Sequence, residues 1–192
     1  MSHITAVFCF SLNKIRRFFI SCIMPKALCV DLPYPTTEGI CPDALSLKII
    51  SPAYATSTGE LNATLQYVYH SFFFSKKSYE NYADALLSIA VAEMHHLDLL
   101  GETILALGAA PVYTRYPPNG YDFYSGKYVA YGRSLKEMLE NDIMGERHAI
   151  CGYEKMLRYL KNEKVKAIVS RIILDEKLHL ETLEKMLCEF KG

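Results

Sequence analysis

Glu93-Met-His-His96 and Glu176-Lys-Leu-His179 each place a carboxylate three residues before an imidazole. On a helix, positions three apart project from nearly the same face, one turn along. A glutamate and a histidine so spaced can reach one metal ion from a single helix. One Glu-x-x-His is a weak signal, because exposed helices produce it by chance; its recurrence carries the argument. Glu60 precedes Glu93 by 33 residues, and Glu146 precedes Glu176 by 30. Tyr67 and Tyr153 follow Glu60 and Glu146 by seven residues, which two helical turns return to the same face. The chain therefore repeats Glu-x6-Tyr and then Glu-x-x-His. The set Glu60, Glu93, His96, Glu146, Glu176 and His179 is the ligand pattern of bundles that hold two iron or two manganese ions.

The neighbours of these residues are apolar at helical spacing. Leu86, Ile89, Leu100 and Ile104 share the face of Glu93. Val169, Ile172, Leu183 and Leu187 share that of Glu176, while Leu139, Ile150 and Leu157 flank Glu146. Solvated charges would lie opposite such stripes, not within them. Burying four bare carboxylates together is strongly opposed by desolvation and mutual repulsion. Two divalent cations offset that charge, so the pattern predicts two metal ions, iron or manganese.

Four long helices must position this set. Ser51-Pro52 reads as an N-cap followed by proline at the first helical position, opening a helix to about residue 74. A second is expected over about 79–107, ended by Gly108 with Pro111 beyond. Ser134-Leu-Lys-Glu137 is a capping-box pattern for a third helix to about residue 160, and Asn162 caps a fourth to about residue 190. Short links join helices one to two and three to four, which makes each pair antiparallel. The link over residues 109–133 is long and rich in Pro, Gly and Tyr. At ~3.3 Å per residue it reaches ~80 Å, ample to run the length of a bundle. The expected fold is all-α: a ferritin-like four-helix bundle of two antiparallel hairpins joined by one long crossover.

The 192 residues suit one core, with 21 basic and 21 acidic side chains. No basic face is offered to nucleic acid or to an anionic membrane. The apolar runs at 4–10 and 18–24 are too short to span a bilayer, and they make a poor signal peptide. Residues 1–50 read as a tail of uncertain role beside a bundle over 51–192, with Met24 a candidate biological start that leaves 1–23 untranslated. None of the six cysteines stands at C-x-x-C spacing, so a zinc ribbon or rubredoxin-type site is not readable. Unpaired thiols fit a reduced, cytoplasmic protein.

Other residues are read more sparingly. Asp142 shares the face of Glu146 and is either a further ligand or an outer partner. Asp175 either orients a ligand histidine across the bundle or is a surface aspartate. Tyr67 and Tyr153 either pack in the core or aim a hydroxyl at a carboxylate. His95 and His148 point away from the ligand direction, toward surface or interface, and His70 is also off that face. In the crossover, Tyr113, Tyr116, Tyr121, Phe123, Tyr124, Tyr128 and Tyr131 are expected to cover the bundle, with a homo-oligomer interface the alternative.

At these residues the chain resembles the rubrerythrin and manganese catalase branch of the ferritin-like superfamily. The stretches that carry the likeness are Glu60-Leu-Asn-Ala-Thr-Leu-Gln-Tyr67, Ala90-Val-Ala-Glu-Met-His-His-Leu97 with Leu99-Leu-Gly-Glu102, and Asp175-Glu-Lys-Leu-His179. The resemblance implies that Glu93 and Glu176 bridge two metals, that Glu60 and Glu146 are terminal ligands, and that His96 and His179 serve one metal each. Rubrerythrins usually add a rubredoxin module, absent here. Many also carry a glutamate one turn before the third-helix ligand, where this chain has Ile143 beside Asp142. The site thus suits disproportionation of hydrogen peroxide, which needs no external electron donor, at least as well as peroxide reduction. Glu93 and Glu176 are the candidate catalytic groups. Ferroxidase chemistry with dioxygen for iron storage, and a metal-stapled coat component, are the competing functions.

Overall fold

The computed structural model describes residues 25–118 and 123–191. The expectations for residues 1–23, and Tyr121 of the crossover, lie outside the described residues. The described residues form five helices: α1 (Ala44–Ala55), α2 (Glu60–Lys76), α3 (Glu80–Ala106), α4 (Leu135–Tyr159) and α5 (Glu163–Glu189). A 3-10 turn, Gly126–Tyr128, lies in the crossover. Helices α2 to α5 make the all-α four-helix bundle, with no strand among the described residues. None of the described helices is long and apolar enough to cross a membrane.

The local stop and start signals act as chemistry dictates. Gly108 turns the end of α3 at φ 96°, where a side chain would be strained. There the amide of Gly108 donates to Leu105 O and that of Ala109 to Ile104 O, the paired bonds of a Schellman end. Ser134 Oγ accepts from the Glu137 amide to cap α4, and Asn162 Oδ1 accepts from Lys164 and Val165 to cap α5. Residues 77–79 and 160–162 close the two hairpins, and the most extensive packing is of α2 on α3 and α4 on α5.

The expected helix start at Ser51-Pro52 is corrected. Helix α1 begins about two turns earlier, at Ala44, where Asp43 accepts from the amides of Leu45 and Ser46. Ser51 and Pro52 sit inside it, and the buried Ser51 Oγ accepts from the Tyr116 amide instead of capping a helix. Proline removes one donor near the end of α1, and Thr56 to Gly59 then break the chain before α2. A Cβ on Gly59 would lie 2.6 Å from Ala53 O, so only glycine permits this close turn. Within the segment expected as a tail of uncertain role, residues 28–34 hydrogen-bond to α3 and α5, and α1 packs on α2, α3 and α4.

The crossover is tied down by Tyr124, whose hydroxyl donates to Asn62 Oδ1, and by the Ala130 amide, which donates to Gln66 Oε1. Tyr116, Tyr124 and Tyr128 are half-buried there, whereas Tyr113, Phe123 and Tyr131 stay exposed. The interior consists of two apolar clusters. One gathers Ile50, Leu100, Ile104, Ile168 and Ile172; the other gathers Phe74, Leu86, Ile89, Leu139 and Leu183. A layer of buried acids and histidines lies between them.

Candidate metal centre

Each long helix contributes to that layer: α2 brings Glu60 and Tyr67, α3 Glu93 and His96, α4 Glu146 and Tyr153, and α5 Glu176 and His179. None of the four glutamates and two histidines is more than 3% exposed. They form two groups whose candidate ligand atoms all lie within 4.8 Å of one another: Glu60, Glu93, His96 and Glu176, then Glu93, Glu146, Glu176 and His179. Glu93 and Glu176 belong to both.

The histidines define what the groups are poised to hold. His179 Nε2 lies 2.8 Å from Leu28 O, and a carbonyl only accepts, so Nε2 carries the hydrogen. Nδ1 then turns a lone pair inward, 3.0 Å from Glu93 Oε1 and 3.7 Å from Glu146 Oε1. His96 repeats the arrangement. Its Nε2 donates to Asp175 Oδ2 at 3.0 Å, while Nδ1 faces Glu93 Oε2 at 3.2 Å and Glu176 Oε1 at 3.1 Å. Lone pairs on nitrogen and carboxylate oxygen repel unless a cation stands among them.

Protons can play that part in the metal-free protein. Burial, with the charges of Glu93 and Glu176, pushes Glu60 and Glu146 well above the usual carboxylate range. Burial acts against Glu93 too, but a proton shared with Glu60 and the facing imidazoles of His179 and His96 hold it well below that range. Both imidazoles are raised; burial opposes this, and contacts to Asp175, Glu176 and Glu93 for His96, and to Glu93 for His179, prevail. Four protons would match two divalent ions in charge. They fit the site less well than metals would, because His179 Nδ1 and Glu176 Oε1 are buried with no hydrogen-bond partner. The two clusters thus have the donors of a di-iron or di-manganese carboxylate site.

The tyrosines cross the bundle. The Tyr67 hydroxyl donates to Glu146 Oε1 and that of Tyr153 to Glu60 Oε1, so each hairpin's tyrosine fixes the other hairpin's glutamate. A cavity of about 200 Å³ opens between α2 and α4 and reaches Glu60, Tyr67, Glu146 and Glu176, with the exposed Met144 and His148 at its rim. Of the two candidate catalytic groups, Glu176 lines it and Glu93 does not.

Asp142 stands outside both ligand groups. Both its oxygens lie 2.9 Å from His70 Nδ1, and Gln66 Nε2 donates to Oδ1 at 2.8 Å. His70 is off the ligand face, yet it is fully buried, and its Nε2 donates to Ala130 O. Its spacing of three after Tyr67 and four before Phe74 was the available signal. His95 and His148 are exposed. Asp175 is fully buried, which excludes the surface reading. Burial would raise its carboxyl, but bonds from His96, Tyr34, Arg171 and the Val30 amide hold it well below the usual range. Tyr34, Arg171 and Leu28 were not anticipated; only Arg171, four residues before Asp175, had a readable spacing.

The profile of the Ferritin family, described as a ferritin-like domain, matches residues 55–192. The chain belongs to the ferritin-like domain family. No curated protein sequence matches it. Its ferritin-like bundle is similar to two crystal structures of KatB, a manganese catalase from Anabaena. In both the TM-score is 0.73 at 21% identity, covering 84% of this chain and 83% of that one. It is also similar to the bacterioferritin BfrA of Mycobacterium tuberculosis, with a TM-score of 0.63 at 23% identity, over 77% of this chain and 86% of that one. At these identities the likeness is one of fold.

Proposed function

We propose that this ferritin-like protein is an oxidoreductase that decomposes or reduces hydrogen peroxide at a centre of two iron or two manganese ions. The observation that carries the reading is that two four-ligand groups share Glu93 and Glu176 beside a cavity sized for a small substrate. Glu60 and His96 would complete one metal position, Glu146 and His179 the other, with Glu93 and Glu176 bridging. Bound there, the metals supply a redox couple and Lewis acidity toward the O–O bond. The chain's own part is to orient, exclude water and move protons. Tyr67 and Tyr153 fix the outer oxygens of Glu146 and Glu60, so those carboxylates face the cavity in defined positions. Glu60, Glu146 and Glu176 line the cavity, within reach of a peroxide's protons, and are the groups that take and return them. The manganese catalase named among the fold neighbours supports disproportionation, which needs no reductant; peroxide reduction would draw on an external electron donor.

Iron oxidation for storage is the second reading, supported by the bacterioferritin neighbour. An exposed apolar row on α2, with Leu65, Phe72 and Phe73, supports a homo-oligomer under either reading. Unpaired Cys29, Cys41, Cys151 and Cys188 support a reducing, cytoplasmic setting. The test is an oxygen electrode: metal-loaded protein evolves dioxygen from peroxide or oxidises a donor with it. Loaded protein that does neither, but consumes dioxygen with ferrous ion, sinks the peroxide reading in favour of storage.

A further inference from the structure

The two halves of the bundle repeat, but their histidines are not supported alike. Superposing the repeat pairs Glu93 with Glu176, His96 with His179, Asp175 with Ala92, and Arg171 with Ser88. His96 therefore meets a carboxylate from the facing helix, whereas the matching place opposite His179 is the buried Ala92, which has none. A strap of residues 28–34 fills that gap. The Leu28 amide donates to Ser88 O at 3.0 Å, and Leu28 O then accepts from His179 Nε2. The same strap strengthens the other side. The Val30 amide donates to Asp175 Oδ1 at 2.8 Å and the Tyr34 hydroxyl to Oδ2 at 2.5 Å. Arg171 pairs with Asp175 at 2.8 Å, donates to Val30 O and Leu32 O, and lies 4.2 Å over the Tyr34 ring.

We infer that the strap and Asp175 make the two metal positions unequal, so that the Glu60–His96 position takes the first metal ion and holds it more tightly than the Glu146–His179 position. A histidine whose Nε2–H is held by a carboxylate is a more basic ligand at Nδ1 than one held by a neutral carbonyl. The guanidinium of Arg171 and hydrogen bonds from Val30, Tyr34 and His96 all meet the Asp175 carboxylate. Leu28 O offers orientation without charge. Asp175 and Tyr34 are thus positioning residues, acting on the metal through His96.

The inference rests on the di-metal reading, and one experiment separates them. Metal-free full-length protein is titrated anaerobically with Mn²⁺ by calorimetry, in the wild type and in Asp175→Asn and Tyr34→Phe. The wild type takes up two ions in two resolved steps at least about tenfold apart. Asp175→Asn keeps an acceptor for His96 but removes the charge, and it weakens the tighter step by about 10–100-fold while leaving the weaker step in place. Tyr34→Phe, at a half-buried position, weakens the tighter step less and secures the test if Asp175→Asn fails to fold. Two equal steps in the wild type, or variants that weaken both steps alike, overturn the inference alone. A wild type that binds no Mn²⁺ overturns it together with the di-metal reading.

Discussion

Between α2 and α4 the acidic layer meets a cavity of about 200 Å³; between α3 and α5 it meets a polypeptide strap hydrogen-bonded to both helices. Carboxylates face the first side, and the outer nitrogens of both histidines face the second. Hard oxygen ligands, Glu60, Glu146 and Glu176, line the cavity. Imidazoles, which must keep one tautomer to serve as ligands, sit where backbone and buried charge lock them. Under the proposed function this is a division of labour: the strap face would fix the histidine ligands and the cavity face would admit substrate to the carboxylates.

Substitutions can break that division or sharpen it. Glu176→Ala is expected to have the largest effect, since Glu176 belongs to both ligand groups and lines the cavity. Metal analysis finds both ions lost and peroxide turnover at background; retention of one ion with normal turnover contradicts the shared role. Next comes Arg171→Leu on the strap face. It leaves a buried Asp175 without its cation and frees Val30 O and Leu32 O. Denaturant melts show a loss of ~3–5 kcal/mol. Calorimetry shows metal affinity down by about 10–100-fold, with the KM for peroxide unchanged once metal is saturating.

Gly145→Leu tests the cavity face in isolation. A Cβ there meets nothing within 4 Å, so the larger side chain projects into the opening without strain. Peroxide kcat/KM is expected to fall about tenfold, ~1.4 kcal/mol of barrier, with metal content and melting temperature undiminished. An unchanged kcat/KM means that substrate enters elsewhere. The smallest effect is that of Tyr153→Phe, which strips one hydrogen bond from Glu60. A loss of ~1–3 kcal/mol in stability is expected, with metal retained and turnover reduced a few-fold.

Much of the cavity face was legible in the sequence, and little of the strap face was. Glutamates among leucines and isoleucines at helical spacing announce a buried charged layer, and Gly108, Ser134 and Asn162 act within one turn of where they stand. The strap works through Leu28 O, the Val30 amide and the carbonyls of Val30 and Leu32, and backbone groups leave no mark in residue identity. Pro52 misled for a different reason. Proline suits the first turn of a helix, but it is tolerated late in α1, just before the break that it helps to make. His70 and Asp142 were each visible as polar residues at core spacing. Their pairing joins α2 to α4 across a long sequence separation, which periodicity within one helix does not report.

The most direct test of the central claim is to count the metal in purified protein by elemental analysis, wild type beside Glu93→Ala. The account predicts two iron or manganese ions per wild-type chain and none in the variant, because Glu93 serves both ligand groups. A wild type that loads neither ion after reconstitution, or a Glu93→Ala chain that keeps both, would contradict it.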